Sequence, residues 1–156
     1  MEKIFLYPSA LFASNKPYEI TTILGSCVAV CLFDQQLQIG GINHYMLPYW
    51  NGKGLASPKY GNIAILKLIE KLENLGSDRR NLIAKVFGGG EVIESSGASQ
   101  FSIGERNIEV ANEILKEQRL KIISTSTGGK FGRKVIFQTS TGEVLHRFIK
   151  SSNQIT

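Results

Sequence analysis

Between Thr21 and Pro48 the chain reads TTILGSCVAVCLFDQQLQIGGINHYMLP, and this segment constrains the fold more tightly than any other. A Gly25-Ser26 turn leads into an apolar run from Cys27 to Phe33. The polar tetrapeptide Asp34-Gln35-Gln36-Leu37 interrupts it, and a second extended run reaches His44. Two apolar runs around a short polar break read as a β-hairpin. Centred between Gln35 and Gln36, the hairpin sets Cys27 directly opposite His44. Opposed residues hold their Cβ atoms about 4.5–5.5 Å apart. Thiol and imidazole then meet on one face, as nucleophilic cysteine chemistry requires.

The remaining pattern points to an α+β domain, an antiparallel sheet covered by two main helices. Pro48 to Pro58 is rich in turn formers and reads as a loop. Ser57-Pro58 has the form of an N-cap followed by proline, opening a helix that carries Ile65, Leu66, Ile69 and Leu72 and stops at Gly76. Asn81 to Phe87 is a short β-rich run ending in three glycines. Glu94 to Phe101 reads as a loop. Ser102 and Glu105 have capping-box spacing ahead of a helix bearing Ile108, Ala111 and Leu115. Leu120 to Ser124 reads as a strand, Gly128 to Arg133 as a glycine-rich loop, and Val135–Ser140 with Val144–Ile149 as a final hairpin.

With 156 residues and no linker or repeat, a single domain spanning 1–156 is expected, large enough to bury a core without staples. Hydrophobic residues make up 42% of the chain, yet no apolar run approaches the roughly 20 residues of a membrane span. The N-terminus, with an early Glu2 and Pro8 inside its apolar stretch, fits a secretory signal poorly. Two cysteines on one face of one strand point to a reducing cytoplasm rather than a disulfide framework. The net charge of +5 comes from scattered lysines and arginines. That distribution argues against nucleic-acid binding and suits solvated faces or an acidic protein partner.

Alone, Cys27 is a small buried hydrophobe and His44 a satisfied core histidine. Together they describe a nucleophile and its base, because neutral imidazole can accept the thiol proton. Gly25 and Ser26 bring main-chain N–H groups beside the sulfur, as an oxyanion hole needs. Thr21 or Thr22, just upstream, would hold the ring by hydroxyl or carbonyl. Cys31 faces Gly40 in this register and reads as core, and His146 reads as structural. A zinc site built from Cys27, Cys31, His44 and His146 is disfavoured, since C-x₃-C on a strand is not a zinc knuckle. Neither glycine run has nucleotide-loop spacing.

The motifs resemble the CheD family of bacterial chemoreceptor glutamine deamidases. The resemblance starts with Leu24-Gly25-Ser26-Cys27-Val28-Ala29-Val30 and Gly41-Ile42-Asn43-His44-Tyr45-Met46-Leu47-Pro48. It continues through Lys59-Tyr60-Gly61-Asn62, Lys85-Val86-Phe87-Gly88-Gly89-Gly90 and Ile103-Gly104-Glu105-Arg106-Asn107. Gly128-Gly129-Lys130-Phe131-Gly132-Arg133 and Phe137-Gln138-Thr139-Ser140-Thr141-Gly142 complete it. It implies a protein-glutamine glutaminase that converts selected glutamines of methyl-accepting chemotaxis proteins to glutamate, releasing ammonia through a cysteine thioester, without a cofactor. A Cys-His-Thr triad maps onto Cys27, His44 and Thr21, with Thr22 the neighbouring alternative and Gly25 and Ser26 beside the oxyanion. A CheC-type phosphatase is an implied partner. The implied fold is a layered α/β sandwich similar to the deamidase domain of cytotoxic necrotizing factor-type toxins. Asn62 departs from the family, in which many members carry an acidic residue there. The competing function is a non-catalytic adaptor that binds chemoreceptors or a CheC-type phosphatase, for which an exposed Phe101 would suit docking.

Overall fold

Among the described residues nine strands, rather than the fewer that periodicity suggests, form two sheets with two helices packed on one of them. The computed structural model describes residues 1–91 and 102–150. The loop expected over 94–101, with Phe101, lies outside the described residues. The strands are β1 (Glu2–Phe5), β2 (Leu11–Ser14), β3 (Tyr18–Leu24), β4 (Val28–Asp34), β5 (Ile39–Asn43), β6 (Leu82–Gly88), β7 (Lys121–Thr127), β8 (Gly132–Gln138) and β9 (Val144–Ile149). The helices are α1 (Gly61–Asn74) and α2 (Ile103–Glu117). One sheet runs β1-β3-β8-β9 and the other β2-β5-β4-β6-β7. All pairs are antiparallel except β1 with β3 and β6 with β7. The architecture is therefore α+β, layered as helices, five-stranded sheet and four-stranded sheet.

The apolar run of β4 is buried on both faces because each face meets a different layer, and all seven of its residues are buried. Val28, Val30 and Leu32 face Ile65, Leu68 and Ile69 of α1 and Val110 and Ala111 of α2. Cys27, Ala29 and Cys31 face the other sheet, among Ile20, Leu24, Val135 and Phe137.

The β4–β5 hairpin forms, but its register is shifted. Asp34 remains in the strand, and its Oδ1 accepts the N–H groups of Gln36 and Leu37 at 2.9 and 3.0 Å. Gln38 takes a φ of 57° and donates to the Asp34 carbonyl at 2.8 Å. The loop is thus Gln35 to Gln38, centred one residue later than expected, and every partner moves by two. Asp34 pairs with Ile39, and Cys31 with Ile42 rather than Gly40.

Helix α1 begins at Gly61, later than the Ser57-Pro58 cap implies. Ser57 Oγ accepts Lys59 N–H at 3.3 Å in a preliminary turn, and α-helical bonding starts with Ala64 N–H on the Tyr60 carbonyl. Leu66 points outward and is 40% exposed. Asn62 does not cap the helix; its Oδ1 accepts Trp50 N–H at 3.0 Å and ties down the preceding loop. Ser102 caps α2 as expected, accepting Glu105 N–H at 3.0 Å.

Candidate active site

The chain leaves the four-stranded sheet at Leu24 and enters the five-stranded sheet at Val28, so Gly25, Ser26 and Cys27 form the crossing between layers. Cys27 is 3% exposed and faces the gap between the sheets. Each carbonyl of the crossing is held. Gly25 O accepts Gly90 N–H at 2.9 Å, Cys27 O accepts Gly89 N–H at 2.9 Å, and Ser26 O accepts Asn107 Nδ2 at 3.0 Å. Among the described residues, the Ser26 and Cys27 N–H groups donate to no protein acceptor.

His44 follows β5 and is 1% exposed. Its backbone continues the ladder to the N-terminal segment: its N–H donates to Ala10 O at 3.1 Å, and its carbonyl accepts Ser9 N–H at 2.8 Å. The isolated bridge between Val28 and Tyr45 extends the β4–β5 register. Met46 therefore lies opposite Cys27 and Ala29 opposite His44. A shift of two preserves side-chain parity, so Cys27 and His44 share the inter-sheet face as diagonal neighbours. Such diagonals are about 7–8 Å apart at the backbone and within reach of a ring.

His44 Nδ1 lies 2.7 Å from Thr22 Oγ1, and the same hydroxyl lies 2.7 Å from the Leu6 carbonyl. A hydroxyl has one proton to give. If it goes to the Leu6 carbonyl, which can only accept, then Nδ1 must carry its own proton and donate to Thr22. That tautomer leaves a lone pair on Nε2, which has no hydrogen-bond partner among the described residues. In that tautomer the ring presents a free acceptor nitrogen.

Thr22, not Thr21, meets the imidazole. Along β3 the buried residues are Ile20, Thr22 and Leu24, and Thr21 lies on the opposite face. Thr21 contributes by its carbonyl, which accepts Leu6 N–H at 2.8 Å and so fixes the residue that receives the Thr22 proton. Cys31 is buried in the inter-sheet core. His146 sits on the edge strand β9, exposed, with its ring 5.6 Å from that of Phe87.

Burial dominates the titration of both groups. It pushes the Cys27 thiol up to about 11 and the His44 imidazole down to about 4. The resting pair is therefore neutral thiol and neutral imidazole. Burial thus disfavours a pre-formed thiolate–imidazolium pair.

Two supporting residues have no role in the sequence reading. Asn107 is fully buried, and its amide bridges the carbonyls of Ser26 and Met46, each at 3.0 Å. The available signal is a polar residue at the helical spacing of a core stripe that includes Val110, Ala111 and Ile114. Arg133, 2% exposed, donates to the carbonyls of Gly128, Gly88 and Phe131 and to Ser126 Oγ. It packs the glycine segment 88–90 that in turn grips the Cys27 turn. Its signal was hidden in a loop read only as glycine-rich.

The family described as CheD chemotactic sensory transduction matches residues 46–148. The chain is 48% identical over 151 residues to a probable chemoreceptor glutamine deamidase CheD of Sulfurimonas denitrificans, covering 97% of each. It is 50% identical over 154 residues to a protein of the same description from Trichlorobacter lovleyi, covering 99% of this chain and 95% of that one. Similarity to the crystal structure of Bacillus licheniformis hypothetical protein YfiH is remote: 14% identity and a TM-score of 0.48 over 74% of this chain and 49% of that one. Near-complete alignments at such identity, around a buried Cys27–His44–Thr22 cluster, lead to one conclusion: the chain belongs to the CheD family.

Proposed function

We propose that this chain is a protein-glutamine glutaminase that deamidates selected glutamine side chains of methyl-accepting chemotaxis proteins. The reading takes the chain as one catalytic domain. The observation that carries it is the buried His44, whose Nδ1 lies 2.7 Å from Thr22 Oγ1 and which shares an inter-sheet face with Cys27. The relatives' description as probable chemoreceptor glutamine deamidases supports the substrate.

Cys27 Sγ attacks the carboxamide carbon while its proton passes to His44 Nε2. Negative charge collects on the former carbonyl oxygen, facing the N–H groups of Ser26 and Cys27. His44 then gives its proton to the amide nitrogen, which leaves as ammonia, and Cys27 holds the glutamyl group as a thioester. Water, deprotonated by His44, attacks the thioester. Glutamate and free thiol result. Thr22 keeps Nδ1–H bonded throughout and disperses the charge of the transient imidazolium.

A CheC-type phosphatase partner also belongs to this reading and rests on family membership. So does likeness to the deamidase-toxin fold, supported by a nucleophile at the entry to a central strand with its histidine just past the end of the neighbouring strand. No helix among the described residues is long and apolar enough to cross a membrane.

Ammonia release from purified chemoreceptor fragments tests the proposal. Cys27→Ala and His44→Ala are expected to abolish it, and free glutamine to be a poor substitute for receptor. Continued release by Cys27→Ala would sink the nucleophile assignment. Receptor binding and signalling that survive the loss of Cys27 would favour an adaptor.

A further inference from the structure

We propose that Asn107 is a positioning residue of this site, fixing the Ser26–Cys27 peptide so that the Cys27 N–H is presented to the substrate oxyanion. The inference rests on the amide-hydrolase reading and names the side chain that would shape its oxyanion hole.

Asn107 is the fifth residue of α2, fully buried on the face that also carries Val110 and Ala111. An amide in such a place costs about 1–3 kcal/mol unless it is hydrogen-bonded. Its bonds converge on the nucleophile. Nδ2 donates to Ser26 O and Met46 O, both at 3.0 Å. Ser26 precedes Cys27, and Met46 lies opposite it in the extended register. The Asn107 backbone carbonyl accepts the Tyr45 hydroxyl at 2.5 Å, which pins this turn of α2 to the exit of β5. Both Nδ2 partners are carbonyls, so the amide orientation is determined: NH₂ must face them.

A trans peptide points its C=O and N–H in opposite directions. Asn107 draws the Ser26 carbonyl toward α2, on the helical side of the five-stranded sheet. The N–H of the same peptide, that of Cys27, is thereby turned toward the inter-sheet side, where the thiol and His44 lie. The neighbouring carbonyls of Gly25 and Cys27 are held by the backbone N–H groups of Gly90 and Gly89. Among the described residues, Ser26 is the one carbonyl of the three held by a side chain, so its peptide can be released by substitution.

Two variants separate oxyanion positioning from general support. Asn107→Leu removes the donor within an apolar face, and Asn107→Asp keeps the shape but turns carboxylate oxygens on two carbonyls. Each is measured for kcat and KM on receptor fragments, for the pH profile of Cys27 alkylation by iodoacetamide, and for thermal stability. Displacement of iodide builds no tetrahedral oxyanion, so alkylation reads the thiol and His44 alone. Losing an oxyanion donor costs about 10²–10³ in kcat. The expected result is a kcat lowered about a hundredfold with KM little changed and the alkylation profile of wild type. Unchanged kcat overturns the proposal, as does a kcat loss matched by a shifted alkylation profile. A wild-type protein that deamidates no receptor removes the underlying reading instead, and Asn107 loses its assigned role with it. If both variants unfold, the wild-type amide spectrum decides. A glutamine-mimicking peptide aldehyde bound at Cys27 should shift the Cys27 N–H resonance strongly downfield, and no shift overturns the proposal.

Discussion

Thr22 Oγ1 lies 2.7 Å from both the Leu6 carbonyl and His44 Nδ1, so a hydroxyl that donates to the carbonyl leaves the imidazole to donate through Nδ1. Thr22→Val keeps the shape but strands both the Leu6 carbonyl and the ring N–H, each worth about 1–3 kcal/mol when buried unpaired. Deamidation kinetics on receptor fragments should show Thr22→Val losing at least about a hundredfold in kcat, within the range general-base positioning supplies. Thr21→Val, on the other face of β3, should stay near wild type. The reverse ranking would assign the ring-holding role to Thr21. The sequence left this choice open for a physical reason. Ile20 and Leu24 mark one face of β3 as buried, but Ile23 on the opposite face is also apolar, so alternation did not select between adjacent threonines. Asn107 was equally hidden, since one polar residue on a core-facing helix does not reveal what it bonds.

At the scale of elements, the hairpin was legible and its register was not. An Asx turn at Asp34 with Gln38 in the left-handed region lengthens the loop, and the sequence reads equally well with the shorter one. The error did no harm to the site, because a slip of two keeps every side chain on its face, whereas a slip of one would have turned Cys27 away. The three-glycine run that begins at the last residue of β6 proves to be the brace behind Cys27. Gly88 takes a φ of +107°, and a Cβ there would sit 2.2 Å from the Cys27 carbonyl oxygen. Neither backbone can yield without moving Cys27. Gly88→Ala, strained at this φ, is therefore expected to lower thermal stability by more than about 1 kcal/mol. It should also abolish deamidation in whatever fraction remains folded. Wild-type kcat in Gly88→Ala would show that the brace does not set the Cys27 position.

For the molecule as a whole, the number of sheets was the least legible feature. The hairpins β4–β5 and β8–β9 are local, but the pairing of β3 with β8 and of β4 with β6 joins distant segments. Nothing in the local pattern says that the Gly25-Ser26 turn passes between layers. That crossing is what buries the site, and burial leaves a mark on stability. His44 falls from its ordinary 6.5 to about 4 in the fold, so between those pH values the unfolded chain binds a proton that the folded one refuses. Stability is full above about 6.5 and should decline by about 3 kcal/mol as pH drops to about 4. Cys27 acts at the other end: its rise from 9.0 to about 11 makes stability decline by a similar amount, about 3 kcal/mol, as pH climbs through that window. Denaturant titrations across pH should show both limbs, with His44→Asn flattening the acidic one and Cys27→Ala the alkaline one. An acidic limb unaffected by His44→Asn would mean that the imbalance lies elsewhere.

The central claim, that Cys27 converts receptor glutamines to glutamate, is tested most directly by residue-resolved mass spectrometry of chemoreceptor cytoplasmic fragments. The fragments are incubated in ¹⁸O-water with wild-type protein or with Cys27→Ala. The expected result is a small set of glutamines converted by wild type, each new carboxylate carrying one ¹⁸O from the water that cleaves the thioester, and none converted by Cys27→Ala. Receptor glutamines that remain amides with wild type, or that are converted equally by Cys27→Ala, would contradict it.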